Sequence, residues 1–440
     1  MPESRGRKVG SETATERQLR VAVAGAGAFG RNHLRVLREL EAAGEGVALA
    51  AVVDPDASRA EEAGRQYRIP VFANVGDLLK ADLKLDASVV AVPTVKHHEV
   101  AMTLLEAGLD LLVEKPLAAN LKEADEIIRR AEKTKRIVQP GHLERFNPAV
   151  LAVESNLKRP MFFEAHRLSV FTPRALDVDV VLDLMIHDLD VVLTFVKSPV
   201  REVRAVGLPI LSPKVDIANV RVEFESGCVA NFTASRVSTE RVRKLRFFEP
   251  RQYVSIDYAR RDVLVIRIDN GTGENPAPPT PGFDQRAQPS AELASAAAEF
   301  LATGKLDSAV IQKLIASGKV PIGLAMKIAA AKNDPEKLKE IATGLAGSAQ
   351  QARTHVVAGT DPAPGPAPGL TFVKPEVKDG EPLKLEVLSF LESARTRCEP
   401  RVTAQQGRAA LELALTIQST MAAHAERAGL KDQWSGIGGQ

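Results

Sequence analysis

The residues best suited to chemistry sit in "DVVLDLMIHDLDVVL", Asp179 to Leu193, which places four carboxylates and one histidine among aliphatic residues. At about 100° per residue, Asp179, Asp183, His187 and Asp190 fall on one stripe of a helix. Leu182, Met185, Ile186, Leu189 and Val192 fall largely opposite. Periodicity alone describes an amphipathic helix whose polar stripe meets water. The residue types say more. An imidazole accepts a proton near neutrality without tuning, and Asp183 lies one turn before His187 on the same face, within reach of it.

Two further groups carry chemistry. Glu114-Lys115-Pro116 follows the apolar run "DLLV". A lysine at the carboxyl end of a parallel strand points into the crevice where such sheets bind ligands; an exposed charge pair at a strand end is the other reading. Gly25-x-Gly27-x-x-Gly30 follows an apolar strand and opens a helical pattern, which is the context a dinucleotide fingerprint requires. Gly25 permits the tight turn, Gly27 lets backbone approach a pyrophosphate, and Gly30 lets helix and sheet pack closely. The helix start, with Ala28 and Phe29, supplies unpaired N–H groups for phosphate oxygens. Asp54 ends the second strand, where a carboxylate can accept hydrogen bonds from both adenosine ribose hydroxyls. A 2′-phosphate there meets like charge, so NAD is favoured over NADP. Together these groups suit oxidation of a secondary alcohol, which needs a proton acceptor, a cation for alkoxide character and a hydride acceptor.

The elements that must hold these residues are legible in outline. From Arg20 the pattern alternates strand and helix: "LRVAVAGAGAFGRNHLRVLREL", "VALAAVVDPD", "RIPVFA", "DASVVAVPT", "DLLVEKPL", and a closing "RIVQPG". Apolar strands alternating with helices indicate a parallel sheet covered on both faces. The fold class is α/β: an N-terminal Rossmann-like domain over 20–148, then an α+β domain with a largely antiparallel open sheet over 149–269 and 370–430. Within the second domain, Ser226-Gly227 between alternating runs is a hairpin signal. Residues 270–369 read as a helical insert flanked by Pro/Gly/Ala-rich linkers, and residues 1–19 as a disordered tail. A final helical pair is expected to pack on the second domain. An open sheet of this kind often buries its outer face against another subunit, so a homo-oligomer (dimer or tetramer) is expected.

Composition narrows the class. The chain has 440 residues, 45% hydrophobic and 26% charged, with a net charge of +2, which gives no strong attraction to nucleic acid or membrane. No run of 18 apolar residues crosses a bilayer. Cys228 and Cys398 have no metal-ligand spacing, so no metal is expected, and a reducing cytoplasm fits.

"VEKPLA", "VPTVKHHEVA" and Asp183-x-x-x-His187, in this order around a Rossmann unit, resemble the glucose–fructose oxidoreductase/inositol dehydrogenase family (Gfo/Idh/MocA). The resemblance covers residues 20 to about 262 and about 370 to 425, and the insert departs from shorter members. It implies that Lys115 positions or polarises the reacting oxygen, that His187 is the general base and that Asp183 orients it or touches substrate. It also implies that Pro93, Thr94, His97 and Glu114 lie beside the nicotinamide and its ribose. "GHLERFNPAV" and "HRLSVFTPRALDVDVVLDLMIHDLD" resemble the branch that oxidises C3 of UDP-N-acetylglucosamine. There the 3-oxo product feeds a PLP aminotransferase on the way to 2,3-diamino sugars such as those of some lipid A. On that reading Arg145, Arg167 and Arg174 offer guanidinium groups to a diphosphate, and His142 and Asn147 bond sugar hydroxyls; a surface ion pair is the alternative for each arginine. Other readings are UDP-N-acetylglucosaminuronate, a free cyclitol or monosaccharide such as inositol, or a non-catalytic NAD-binding scaffold or sensor.

Overall fold

Val47–Val53, seven aliphatic residues without a polar break, is buried along its whole length, as a strand must be when helices cover both faces of its sheet. It is β2 in a computed structural model that describes residues 18–172, 178–268 and 370–430. Its sheet also holds β1 (Leu19–Ala24), β3 (Val71–Phe72), β4 (Ala87–Val90), β5 (Asp110–Glu114) and β6 (Val138–Gly141), all parallel, in the order β3-β2-β1-β4-β5-β6. The order reverses between β1 and β4, the switch point at which open α/β sheets form a crevice beyond their strand ends.

Helices α1 (Ala28–Ala42), α2 (Ala57–Tyr67), α3 (Val75–Lys80), α4 (His97–Glu106) and α5 (Leu121–Thr134) make the crossovers. α1 buries Leu34, Leu37 and Leu40 at helical spacing. The side chains of Asp56, Asn74 and Asn120 accept the N–H groups of Arg59, Asp77 and Glu123, fixing where α2, α3 and α5 begin.

The chain then runs through α6 (Pro148–Glu154), β7 (Phe162–Leu168), a π-helical turn (Val181–Met185) and α7 (Ile186–Val196). Next come β8 (Val200–Leu208), β9 (Ile217–Phe224), β10 (Val229–Ser235), β11 (Val242–Glu249), β12 (Gln252–Asp257), β13 (Asp262–Ile268) and β14 (Leu370–Val373). They form an eight-stranded sheet in the order β14-β13-β12-β11-β7-β10-β9-β8. From β7 to β13 the pairing is antiparallel except between β7 and β10. The β9–β10 hairpin turns at Gly227, whose φ of 81° is left-handed. One face of the sheet packs Phe163, Phe232, Phe247 and Val254 against Val181, Ile186 and Leu189. On the other, Phe162 and Phe248 stack at 5.4 Å and Phe248 meets Tyr253 at 5.1 Å.

The final helices, α8 (Pro382–Thr396) and α9 (Ala404–Arg427), depart from expectation. α8 places Val387, Phe390 and Leu391 in the core formed by β1, β2 and α1, on the Rossmann domain rather than the second. α9 serves both domains: Ala404 and Leu411 join the β5–α5 core, while Ala414, Ile417 and Met421 join that of the second sheet. The helix expected over Asp179–Leu193 is also not uniform, because its first turn is π-helical. Of the tail expected over 1–19, Leu19 begins β1 and Gln18 donates to the Val47 carbonyl at 2.7 Å; residues 1–17, Arg174 and the insert at 270–369 lie outside the described residues.

Candidate active site

At the end of β1 the backbone turns on Gly25, at φ 104°. A Cβ there would stand 2.4 Å from the Ala91 carbonyl oxygen, so only glycine fits. A Cβ on Gly30 would stand 1.8 Å from the Gly25 oxygen, which brings α1 against the turn. Gly27 is different: nothing lies within 4 Å of a Cβ placed there. It is the N-cap of α1 and offers no side-chain hydrogen bond, so the first N–H groups of the helix remain for an anion. Ala28 and Phe29 are exposed beside it. This open, uncapped cradle fits the diphosphate of a dinucleotide. Asp54 braces it: its carboxylate accepts Ala26 N–H at 2.7 Å and Asp56 N–H at 2.9 Å, with Arg59 at 3.3 Å. Each oxygen keeps lone pairs for a ribose hydroxyl, but the carboxylate also shapes the loop itself.

Across the switch point, Lys115 leaves the end of β5 just before a cis peptide to Pro116. Its ammonium donates to the Asp183 carbonyl at 2.7 Å and stands 3.7 Å from the Asp183 carboxylate. The π turn carries that carbonyl and leads directly into His187, so lysine, aspartate and histidine converge from two domains. π turns recur at functional sites because they re-aim the residues around them. Burial pulls the Lys115 ammonium below the ordinary lysine value, with Asp183 and Glu114 opposing. His187 is held well below the ordinary histidine value, first by burial and then by the positive charges of Lys115, Arg167, His142 and Arg243. Its Nδ1 is buried without a hydrogen-bond partner among the described residues.

Other expected contacts are rearranged. Pro93 and Thr94 flank the loop after β4, exposed and half-buried respectively. His97 is buried, with Nδ1 2.9 Å from the Pro116 carbonyl and Nε2 3.0 Å from that of Val92, so it ties the two loops together rather than facing a ligand. Burial lowers its pKa in spite of those carbonyls. Glu114 bonds His33 at 2.7 Å. Burial pushes that carboxyl up, but the His33 bond and the charges of His33, Lys115 and His97 bring it below the usual range. His33 went unrecognised in the sequence, although its place on α1 facing the strand ends was the available signal.

Four of the residues expected to bind sugar and diphosphate gather around two internal carboxylates, Arg167 and Asn147 on Glu144 and Arg145 and His142 by Asp190. Arg167 is buried, forked onto Asp188 at 2.7 and 2.9 Å, bonded to Glu144 at 2.9 Å and stacked over Tyr258. Arg145 is buried against Asp190 at 3.5 Å, the Thr194 hydroxyl and the Arg401 carbonyl. Asn147 caps α6 through Ala149 N–H at 3.1 Å and donates to Glu144 and to the Tyr258 carbonyl. His142 is buried, its Nδ1 3.9 Å from Asp190, and burial lowers its pKa. Arg145, Arg167 and Asn147 thus already hold protein partners, whereas neither ring nitrogen of His142 has a hydrogen-bond partner among the described residues. Asp179 likewise caps the π turn through the N–H groups of Val181 and Leu182. The carboxylates of the opening stretch thus divide into a cap, a site residue and two internal counter-ions.

Residues 19–142 match the oxidoreductase family described as having an NAD-binding Rossmann fold, and residues 136–251 match the GFO/IDH/MocA C-terminal domain. UDP-N-acetylglucosamine 3-dehydrogenase of Acidithiobacillus ferrooxidans is 34% identical over 283 residues, covering 64% of this chain and 86% of that protein. Inositol 2-dehydrogenase of Acidothermus cellulolyticus is 32% identical over 201 residues, covering 44% and 58%. Among solved structures, the Acidithiobacillus UDP-N-acetylglucosamine 3-dehydrogenase GnnA superposes with a TM-score of 0.66 at 25% identity, covering 92% of this chain and 98% of its own.

Proposed function

The chain belongs to the Gfo/Idh/MocA family of NAD-binding oxidoreductases, and from that premise we propose that it oxidises the C3 hydroxyl of UDP-N-acetylglucosamine to the 3-oxo sugar. The observation that carries the chemistry is the convergence of Lys115 from the end of β5, Asp183 from the π turn and His187 from α7. NAD held at the turn between β1 and α1 would supply the hydride acceptor for the sugar carbon. His187 takes the hydroxyl proton, and its depressed basicity keeps it in the neutral, accepting form. The Lys115 ammonium lies where it stabilises the oxygen as the proton departs, and Asp183 holds that ammonium. The backbone at Gly27 and the start of α1 bind the diphosphate of the cofactor; Asp54 braces them and accepts from the ribose.

The substrate assignment draws support from the relative that matches 86% of its own length. Its ketone product is of the class consumed by a PLP aminotransferase. A neutral cyclitol is the second reading, favoured by the inositol 2-dehydrogenase match and by the burial of Arg145 and Arg167. The half-buried aromatic face of Phe162, Phe248 and Tyr253 supports a second copy as partner. Two unpaired cysteines support a reducing, cytoplasmic setting. Among the described residues no helix is long and apolar enough to cross a membrane.

The test is absorbance of reduced nicotinamide on mixing protein, NAD and UDP-N-acetylglucosamine, with an aminotransferase and glutamate added to draw off the ketone. We expect reduction with the nucleotide sugar. Reduction with myo-inositol and none with the nucleotide sugar, coupled or not, transfers the assignment to the second reading.

A further inference from the structure

β11 is an interior strand whose alternate residues Leu245 and Phe247 face the helices and are fully buried. Arg243 belongs to the same alternation, and in register it stands opposite Arg167 on β7. Yet Arg243 is exposed where Arg167 is not. The helix-covered face therefore opens to solvent at Arg243. That opening lies beside the reacting groups, since Arg167 grips Asp188, the residue after His187, and the Arg243 charge reaches His187 itself.

The two arginines differ in what they hold. Arg167 is spent on Asp188 and Glu144. Among the described residues no carboxylate lies within ion-pair distance of Arg243 and none accepts a hydrogen bond from its guanidinium. Its backbone is fixed, with the Tyr258 N–H donating to the Arg243 carbonyl at 3.0 Å. An unpaired guanidinium on a rigid interior strand, at the mouth of a site, is suited to a planar two-point bond with a phosphate oxygen pair.

We propose that Arg243 is the cationic subsite for the diphosphate of the nucleotide-sugar substrate, the role that the buried Arg145 and Arg167 cannot fill. The inference deepens the reading above and rests on it. It makes Arg243 a specificity residue that separates charged nucleotide sugars from neutral polyols; on the proton acceptor its charge acts only by disfavouring the His187 imidazolium, so kcat is compared on the alkaline plateau of the pH profile, where His187 is neutral with or without it.

The test uses the full-length protein saturated with NAD, so that the cofactor's own diphosphate cradle is filled. UDP and uridine are titrated calorimetrically into wild type and Arg243→Gln, and KM and kcat for UDP-N-acetylglucosamine are measured on both. Wild type should prefer UDP to uridine. In Arg243→Gln that preference should fall about 10- to 100-fold, the scale of one lost charge-assisted hydrogen-bond pair, with the kinetic loss falling on KM rather than kcat. Arg243→Lys should recover part of it, because charge remains while the fork is lost. Equal UDP affinity in wild type and Arg243→Gln overturns the proposal while leaving the substrate assignment standing. Wild type that binds no UDP and reduces NAD only with a neutral cyclitol overturns both.

Discussion

An imidazole crowded by cations titrates late on the acid side, and His187 is such a group. Burial first, then Lys115, Arg167, His142 and Arg243, disfavour its protonated form. The neutral base therefore persists below the ordinary histidine value of about 6.5, and kcat/KM should hold its plateau through that pH and fall only further into acid. A pH–rate profile with its acid limb above 6.5 would contradict this assignment. Removing the base in His187→Ala should lower kcat by roughly 10²–10⁴-fold with NAD binding kept, as read by nicotinamide fluorescence titration.

Glu386 on α8 tests the electrostatics without any turnover. It is buried, and among the described residues neither carboxyl oxygen finds a hydrogen-bond partner. Burial, reinforced by the negative charges of Glu114 and Asp190, pushes its carboxyl well above the usual range. The unfolded chain titrates this group near 4.3, so the folded state holds the proton to higher pH. The stability it contributes is full below the unfolded value and declines as pH rises toward the folded one. Glu386→Gln removes that decline, and its advantage over wild type should grow by about 1.4 kcal/mol per pH unit through the window. Denaturant melts at stepped pH between about 5 and 8 check it. A difference that stays flat with pH would refute a proton held on Glu386.

At the scale of elements, the turn between β1 and α1 separates two uses of glycine. Gly25→Ala places a methyl group against the Ala91 carbonyl at a left-handed φ and should cost stability on the order of 1–3 kcal/mol. Gly27→Ala meets no protein atom; it should melt like wild type yet bind NAD more weakly, because the methyl enters the space left for the phosphates. Calorimetric melting beside NAD titration distinguishes the two, and a Gly27→Ala protein with unchanged NAD affinity would remove the cradle from its place.

This turn was legible in the sequence because fingerprint, strand and helix are adjacent in the chain. The Glu114-Lys115-Pro116 and Asp183/His187 groups were legible as residue types, but their meeting depends on a π turn that no 100° periodicity anticipates. The partners of Arg145 and Arg167 were hidden for a related reason. Arg167 finds Asp188 and Glu144 more than twenty positions away, and Arg145 finds the Arg401 carbonyl from the far C-terminal region. A local motif shows the guanidinium and hides its partner. Arg243 sits in the basic run "RVRKLRFFEPR", a pattern that is more often a solvated strand edge than a phosphate site, and only its register opposite Arg167 distinguishes it.

At the scale of the whole molecule, the parallel sheet followed by a largely antiparallel one was evident from the change of pattern after residue 148. The placement of the last helices was not, since amphipathic residues announce a buried face without naming the surface that buries it. α8 closes the core beneath β1 and β2, and α9 enters the cores of both domains. The consequence concerns the order of synthesis. The nucleotide-binding half emerges from the ribosome first, but Phe390 and Leu391, which seal its interior, emerge only after more than two hundred further residues have been made. Until then that half carries an unfilled groove.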